Sequence, residues 1–371
     1  MEIVDIKPLR IKVNHRGDWI LVVVETDNGI KGLGEASHSG DDDSMIMALR
    51  RLREKLSDKD PLNIETIIKH LKTPRRAAEN RIRQIALSAI EQALWDIIGQ
   101  YLNVPIHTLL GGSLRNKIRL YANLNRSLID RTPEGFAAAA SRAVDEGFTA
   151  VKIAPFDELT ASDSIRTGSR ARWQLGVERI RKVRDAIGDE VELAVDCHGR
   201  MDISQAVAVA EAVADCQLLW LEEPVPMQFT EALKTLSSKV TMPIAAGESL
   251  FEVEGFRSIL AERTVDIVMP DVKWDGGLLE TKLIAGAARM NQILVAPHSP
   301  AGPVSTVASA QVASTMSNFL ILEYAWAEVG WRAELLSPPE KIENGYLILS
   351  DRPGLGHRLN EKTLGRVLQK N

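Results

Sequence analysis

Six ionisable residues recur along the chain at near-equal spacing. They are Asp196, Glu222, Glu248, Asp271, His298 and Glu323, separated by 26, 26, 23, 27 and 25 residues. Each closes a short apolar run: ELAVD (192–196), LLWLEE (218–223), PIAAGE (243–248), DIVMPD (266–271), ILVAPH (293–298) and FLILEY (319–324). A single acid at the end of such a run is explained by helix capping. Six in series, all acid or His, point to one ring of functional groups. Asp196, Glu222 and Glu248 would repel one another in a concave site, and a hard divalent cation relieves that repulsion. An all-oxygen set favours Mg²⁺, with Mn²⁺ as a substitute, over zinc. His198 lies two residues past Asp196 and shares its strand face. It is placed to act as a general acid; a role as a further ligand or a structural hydrogen bond fits the same position. Asp271 and His298 fall on neighbouring runs, and a carboxylate that orients an imidazole makes it a base. Glu323, if protonated, is placed to donate to or polarise a developing oxyanion, and crowding by other carboxylates is expected to raise its pKa.

The positioning elements follow from the same spacing. Two further runs, RLYANL (119–124) and AVKIA (150–154), precede the six. Amphipathic stretches such as PEGFAAAASRAVDEGF (133–148), SQAVAVAEAVADC (204–216) and TKLIAGAARMNQ (281–292) separate them. Eight β-then-α units read as a parallel (β/α)8-type barrel with its last unit modified. Active sites of such barrels lie at the C-terminal ends of the strands. Residues 1–115 differ: a hairpin turning at Asp27-Asn28-Gly29 is followed by helical patterns over 42–58 and 79–101. They predict a separate α+β domain. The barrel is expected over 116–345, and 346–371, with its DRPGLG stretch (351–356), as a tail returning to the first domain.

Two polar segments interrupt this scheme. His15, Arg16, Asp18 and Trp19 sit between apolar segments of the small domain and are candidates for a substrate-binding lid. Residues 155–173 lack periodicity, and a loop that long is usually functional or disordered; a solvated insertion is the other reading. Its Arg166, Arg170 and Arg172, with Arg16 and Asp18, suit a polyhydroxylated anion.

Composition narrows the function class. The chain has 371 residues, 45% hydrophobic and 26% charged, the mix of a globular protein. Lys and Arg number 45 against 50 Asp and Glu, a net charge of −5, so nucleic acid is not an expected partner. Cys197 and Cys216 occupy no ligand spacing and fit a reducing compartment. The N-terminus lacks a signal-peptide apolar region, and no apolar run is long enough to span a membrane; the cytoplasm is the expected location. There is no G-x-S-x-G, no G-x-G-x-x-G after a strand and no P-loop, which argues against nucleophilic and nucleotide chemistry.

The motifs resemble those of the enolase superfamily, in its mandelate racemase-like subgroup of galactonate-type acid-sugar dehydratases. GLGEA (32–36) and ALWDIIGQYLNVPIHTLLGG (93–112) are similar to the capping domain. VDCHGR (195–200), WLEEPVP (220–226), AAGES (245–249), MPDVKWDGG (269–277), APHSPAGPVS (296–305) and LEY (322–324) are similar to the barrel, in order and at family spacing. The resemblance implies Asp196, Glu222 and Glu248 as ligands of one Mg²⁺. It implies Asp271 and His298 as the dyad that removes the proton α to a carboxylate. His198 is implied as the acid that expels the β-hydroxyl, and Glu323 as the acid on the enediolate. It also implies a small sugar-acid substrate and a homo-oligomer. One departure bears on the reaction. Racemases of this kind, and several epimerising or dehydrating relatives, carry K-x-K on the second barrel strand, whereas this chain has Lys152-Ile153-Ala154. Ala154 has no proton to move, and Lys152 is left to neutralise the metal cage. One base plus one acid is the chemistry of elimination. A cycloisomerase or epimerase using the same enediolate, and a non-catalytic sugar-acid-binding homologue, are the alternatives.

Overall fold

The computed structural model describes residues 1–72, 81–160, 169–227 and 230–368. Arg166, and the side chain of Arg170, lie outside the described residues.

The N-terminal domain opens with three antiparallel strands, β1 (Ile3–Asn14), β2 (Gly17–Thr26) and β3 (Lys31–Glu35). Helices α1 (Asp42–Leu56), α2 (Ile64–Leu71) and α3 (Arg81–Leu102) cover one face. The run ILVVV in β2 does not alternate with polar residues because both of its faces are buried. Ile20, Val22 and Val24 face the helices, while Trp19, Leu21 and Val23 join the core of the second domain. In β3, a Cβ on Gly32 or Gly34 would run into the carbonyl oxygens of Ala93 and Ala89. Glycine there lets the strand lie against the α3 backbone.

The second domain is the parallel barrel. Among the described residues its strands are β4 (Lys117–Asn123), β5 (Ala150–Ile153), β6 (Glu192–Asp196), β7 (Trp220–Glu222), β8 (Ile244–Ala246), β9 (Ile267–Val268), β10 (Leu294–Val295) and β11 (Leu322–Ala325). Each pairs in parallel with the next from β4 to β10, and β11 returns to pair with β4. The β10–β11 seam is completed by a bridge between Val295 and Phe319. Tyr121, Ala150, Ala194, Trp220, Ala245 and Ile267 fill the barrel interior. Small residues on β5, β6 and β8 leave room for the Tyr121 and Trp220 rings, which meet edge-on at 5.4 Å.

The end of the chain touches both domains. Tyr346–Ile348 pairs antiparallel with the start of β4. Farther on, Gly354 bridges to Pro105, and the Leu355 N–H donates to Asp96 of α3. Among the described residues no helix is long and apolar enough to cross a membrane.

Candidate active site

The strand ends bring the six spaced residues together. Asp196 and Glu222 end β6 and β7, Glu323 lies within β11, and Glu248, Asp271 and His298 follow β8, β9 and β10 by two or three residues. Side chains beyond short strands remain in the ring because backbone pairing continues there: His298 N donates to Pro270 O and Glu323 N to Pro297 O.

Asp196, Glu222 and Glu248 each present a carboxylate oxygen within 4.8 Å of the others. Burial pushes Glu222 up to about 8 and Glu248 well above the usual carboxyl range, and the neighbouring carboxylates add to both shifts. Glu248 Oε2 is buried and accepts no hydrogen bond. Repulsion among three carboxylates and an orphaned acceptor are the marks of a cation site. The all-oxygen donor set fits Mg²⁺ or Mn²⁺.

Lys152 is sequestered under this triad. Its Nζ lies 2.7 Å from Glu222, 3.1 Å from Glu323 and 3.8 Å from Asp196, and its side chain is fully buried. Burial alone would lower its pKa, but the surrounding carboxylates outweigh that and hold it charged. Ala154, two residues on, offers only its backbone: its N–H donates to Asn125 and its carbonyl accepts from Arg131.

Two imidazoles flank the triad. His298 Nδ1 is 2.7 Å from Asp271 Oδ2, and Nε2 is 3.1 Å from Glu248 Oε2. Burial lowers the His298 pKa, so the ring is neutral near pH 7 and suited to accept a proton. On the other side, His198 Nε2 is 3.0 Å from Asp196 Oδ2, and Nδ1 is 2.9 Å from Asp157 Oδ1. The attraction of Asp196 raises the His198 pKa, so this ring holds its protons. His198 sits at φ 49°, a left-handed conformation that costs a non-glycine residue roughly 1–2 kcal/mol. Its N–H is bound to Asp196 Oδ1 at 2.9 Å, which helps to hold that turn.

Three placements differ from expectation. The Glu323 carboxyl does not have the raised pKa expected of it. Burial pushes its carboxyl up, but Lys152, His298 and the Ser299 N–H together hold it below the usual range. Asn123 Nδ2 donates to Oε1, the oxygen that Lys152 faces, at 2.5 Å. The expectation counted the crowding carboxylates and missed the buried ammonium among them. Asp18 and Trp19 are not in the lid. Gly17 already begins β2, so the next two residues point to opposite faces. Asp18 binds Arg10 at 2.7 Å, and Trp19 is buried against Trp331 with its N–H 3.2 Å from Glu328. His15 and Arg16 form the exposed hairpin tip, and Arg16 reaches to 4.0 Å from Asp157. Asn14 pins the tip to the barrel by donating to the carbonyls of Arg126 and Glu328.

Residues not singled out from the sequence complete the site. Lys273 Nζ pairs with the same Asp271 oxygen that holds His298, and its N–H donates to the other at 2.8 Å. Its position two residues past Asp271 repeats the Asp196–His198 spacing and was the available signal. Glu223 accepts from Gly247 N at 3.1 Å, steadying the turn before Glu248. Asp157 lies in the segment expected to cover the site.

The comparisons with known proteins agree with this geometry. Residues 2–111 match the mandelate racemase / muconate lactonizing enzyme N-terminal domain, and residues 135–363 match the enolase C-terminal domain-like family. The chain belongs to the enolase superfamily, in its mandelate racemase-like group. A D-xylonate dehydratase of Haloferax volcanii is 34% identical, over 97% of this chain and 87% of that protein. A D-gluconate/D-galactonate dehydratase of Picrophilus torridus is 32% identical, over 94% and 88%. The solved mandelate racemase/muconate lactonizing enzyme-like protein of Rubrobacter xylanophilus superposes with a TM-score of 0.88 at 33% identity, covering 99% of this chain and 97% of that one.

Proposed function

We propose that this chain is a hydro-lyase that dehydrates a sugar acid, an aldonate or aldarate, to a 2-keto-3-deoxy acid. The observation that carries this reading is the confinement of Lys152 beside Ala154. With Lys152 tied to Glu222 and Glu323, His298 is the base and His198 the acid. The names of the relatives support the same reaction class.

Asp196, Glu222 and Glu248 would hold one Mg²⁺, which when bound polarises the substrate carboxylate and stabilises negative charge developing beside it. His298 Nε2 takes the C2 proton, with Asp271 on Nδ1 orienting the ring. The electron pair of the C2–H bond first moves into the substrate carboxylate, giving an enediolate, and from there forms the C2=C3 double bond as the C3–O bond breaks. His198 Nε2 gives its proton to the departing hydroxyl, which leaves as water. The enol then ketonises. Lys152 compensates the carboxylates and moves no proton. Arg16, at the hairpin tip, is positioned to meet the distal part of a polar substrate.

The test is a panel of D-xylonate, D-gluconate, D-galactonate, aldarates and uronates with purified protein and Mg²⁺, read with semicarbazide. A keto-acid signal abolished by EDTA is expected. A blank panel with continued exchange of the α-proton in deuterated water would replace elimination by isomerisation.

A further inference from the structure

We propose that Asp157 is the positioning residue of the general acid: it holds His198 by Nδ1 so that Nε2 faces the metal cage. The proposal rests on the dehydratase reading above, in which His198 is the acid.

The geometry repeats that of the base on a different scaffold. On the base side, His298 Nδ1 meets Asp271 at 2.7 Å, and Lys273 binds that carboxylate in turn. On the acid side, His198 Nδ1 meets Asp157 Oδ1 at 2.9 Å, and Arg131 binds Asp157 Oδ2 at 2.9 Å. In both cases the remaining Nε2 lies against a triad carboxylate, Glu248 or Asp196. A carboxylate that is itself anchored by a cation sets both the plane of an imidazole and the nitrogen it offers.

Asp157 is well anchored. The Arg131 group that binds it also donates to the Ala154 carbonyl at 2.6 Å, so the carboxylate is tied to the end of β5. Arg200 stands 3.9 Å from Oδ1 and Arg16 4.0 Å from Oδ2. The exposed hairpin tip of the capping domain therefore reaches the acid through one intervening side chain. His198 needs such a support more than His298 does, because it is the more solvent-exposed of the two.

The experiment separates proton removal from hydroxyl expulsion. D-xylonate, D-gluconate and D-galactonate are incubated with wild type and Asp157→Ala in deuterated water with Mg²⁺. Keto acid and α-deuterium are measured together. Asp157→Ala is expected to slow elimination on the order of a hundredfold, as a misplaced catalytic group does. α-Proton exchange, which needs only His298, continues near its wild-type rate. Asp157→Asn, which keeps one acceptor, recovers part of the loss. In a His198→Asn background, Asp157→Ala has no further effect on elimination, since it acts through the missing ring. Equal loss of exchange and elimination, or loss of neither, overturns the proposal.

A second measurement needs no substrate. In ¹⁵N-histidine spectra, with the His198 signals assigned by His198→Asn, the Nδ1 resonance of His198 shifts in Asp157→Ala. An unmoved resonance overturns the proposal even if the wild type dehydrates none of the three acids. That last result would instead count against the parent reading.

Discussion

The carboxylate of Glu35, in the capping domain, lies 2.7 Å from the backbone nitrogen of Gly302, in the barrel. Its second oxygen accepts from Ser305 N at 2.9 Å. A side chain of one domain thus caps the helix Pro303–Ala313 of the other, just past the His298 loop. Removing it leaves helix N–H groups buried and unpaired. Glu35→Ala is expected to cost about 2–4 kcal/mol, read by urea unfolding. A loss below about 0.5 kcal/mol would mean that the cap is replaceable by solvent.

Lys152 is the only described cation within 4 Å of Glu222. Breaking a buried ion pair from one side costs about 3–5 kcal/mol. Lys152→Met should therefore unfold at lower temperature, most severely in EDTA. Mg²⁺ is expected to recover part of the loss, because a cation in the triad lowers the same repulsion. Equal destabilisation with and without Mg²⁺ would separate Lys152 from the metal site.

Wild-type protein should itself be stabilised by Mg²⁺, by an amount that grows with the logarithm of concentration above the dissociation constant. Glu248→Gln is the variant to compare, since Glu248 Oε2 makes no hydrogen bond to lose. It is expected to abolish the thermal shift while keeping the fold. A full shift in this variant would place the ion elsewhere.

Burial pushes Glu91 up to about 8, although it accepts from the N–H groups of Leu278 and Leu279 and from Trp95. The sign follows from proton counting. Between an unfolded pKa near 4.5 and the folded value of about 8, the native state keeps a proton that the unfolded chain has released. The contribution is complete below that window and is lost as pH rises through it. Unfolding free energy should fall from pH 5 to pH 8, and Glu91→Gln should flatten that slope. An unchanged slope would assign the pH dependence to other groups.

His298→Asn tests the base directly. General acid–base groups contribute roughly 10²–10⁴ in rate, so turnover and α-proton exchange should both fall by at least about a hundredfold. A variant that keeps its exchange rate would have another base.

The ring of Asp196, Glu222, Glu248, Asp271, His298 and Glu323 was legible from spacing alone. A parallel βα unit returns the chain to the same end of the barrel at each repeat, so regular separation in sequence becomes proximity in space. The nearness of His198 to Asp196 was legible from the two-residue step, but not its cause: β6 ends at Asp196, and a left-handed turn at His198, not the alternation of a strand, sets where the ring lies. The absence of a second lysine at Ala154 was legible as plain composition. What the sequence did not carry was the set of partners. Asp157 meets His198, and Glu35 meets Gly302, across separations that no period describes. The downward shift of the Glu323 carboxyl turns on Lys152, 171 residues earlier in the chain. Charge state depends on which groups lie within a few ångströms in a dry interior. Only the tertiary fold decides that.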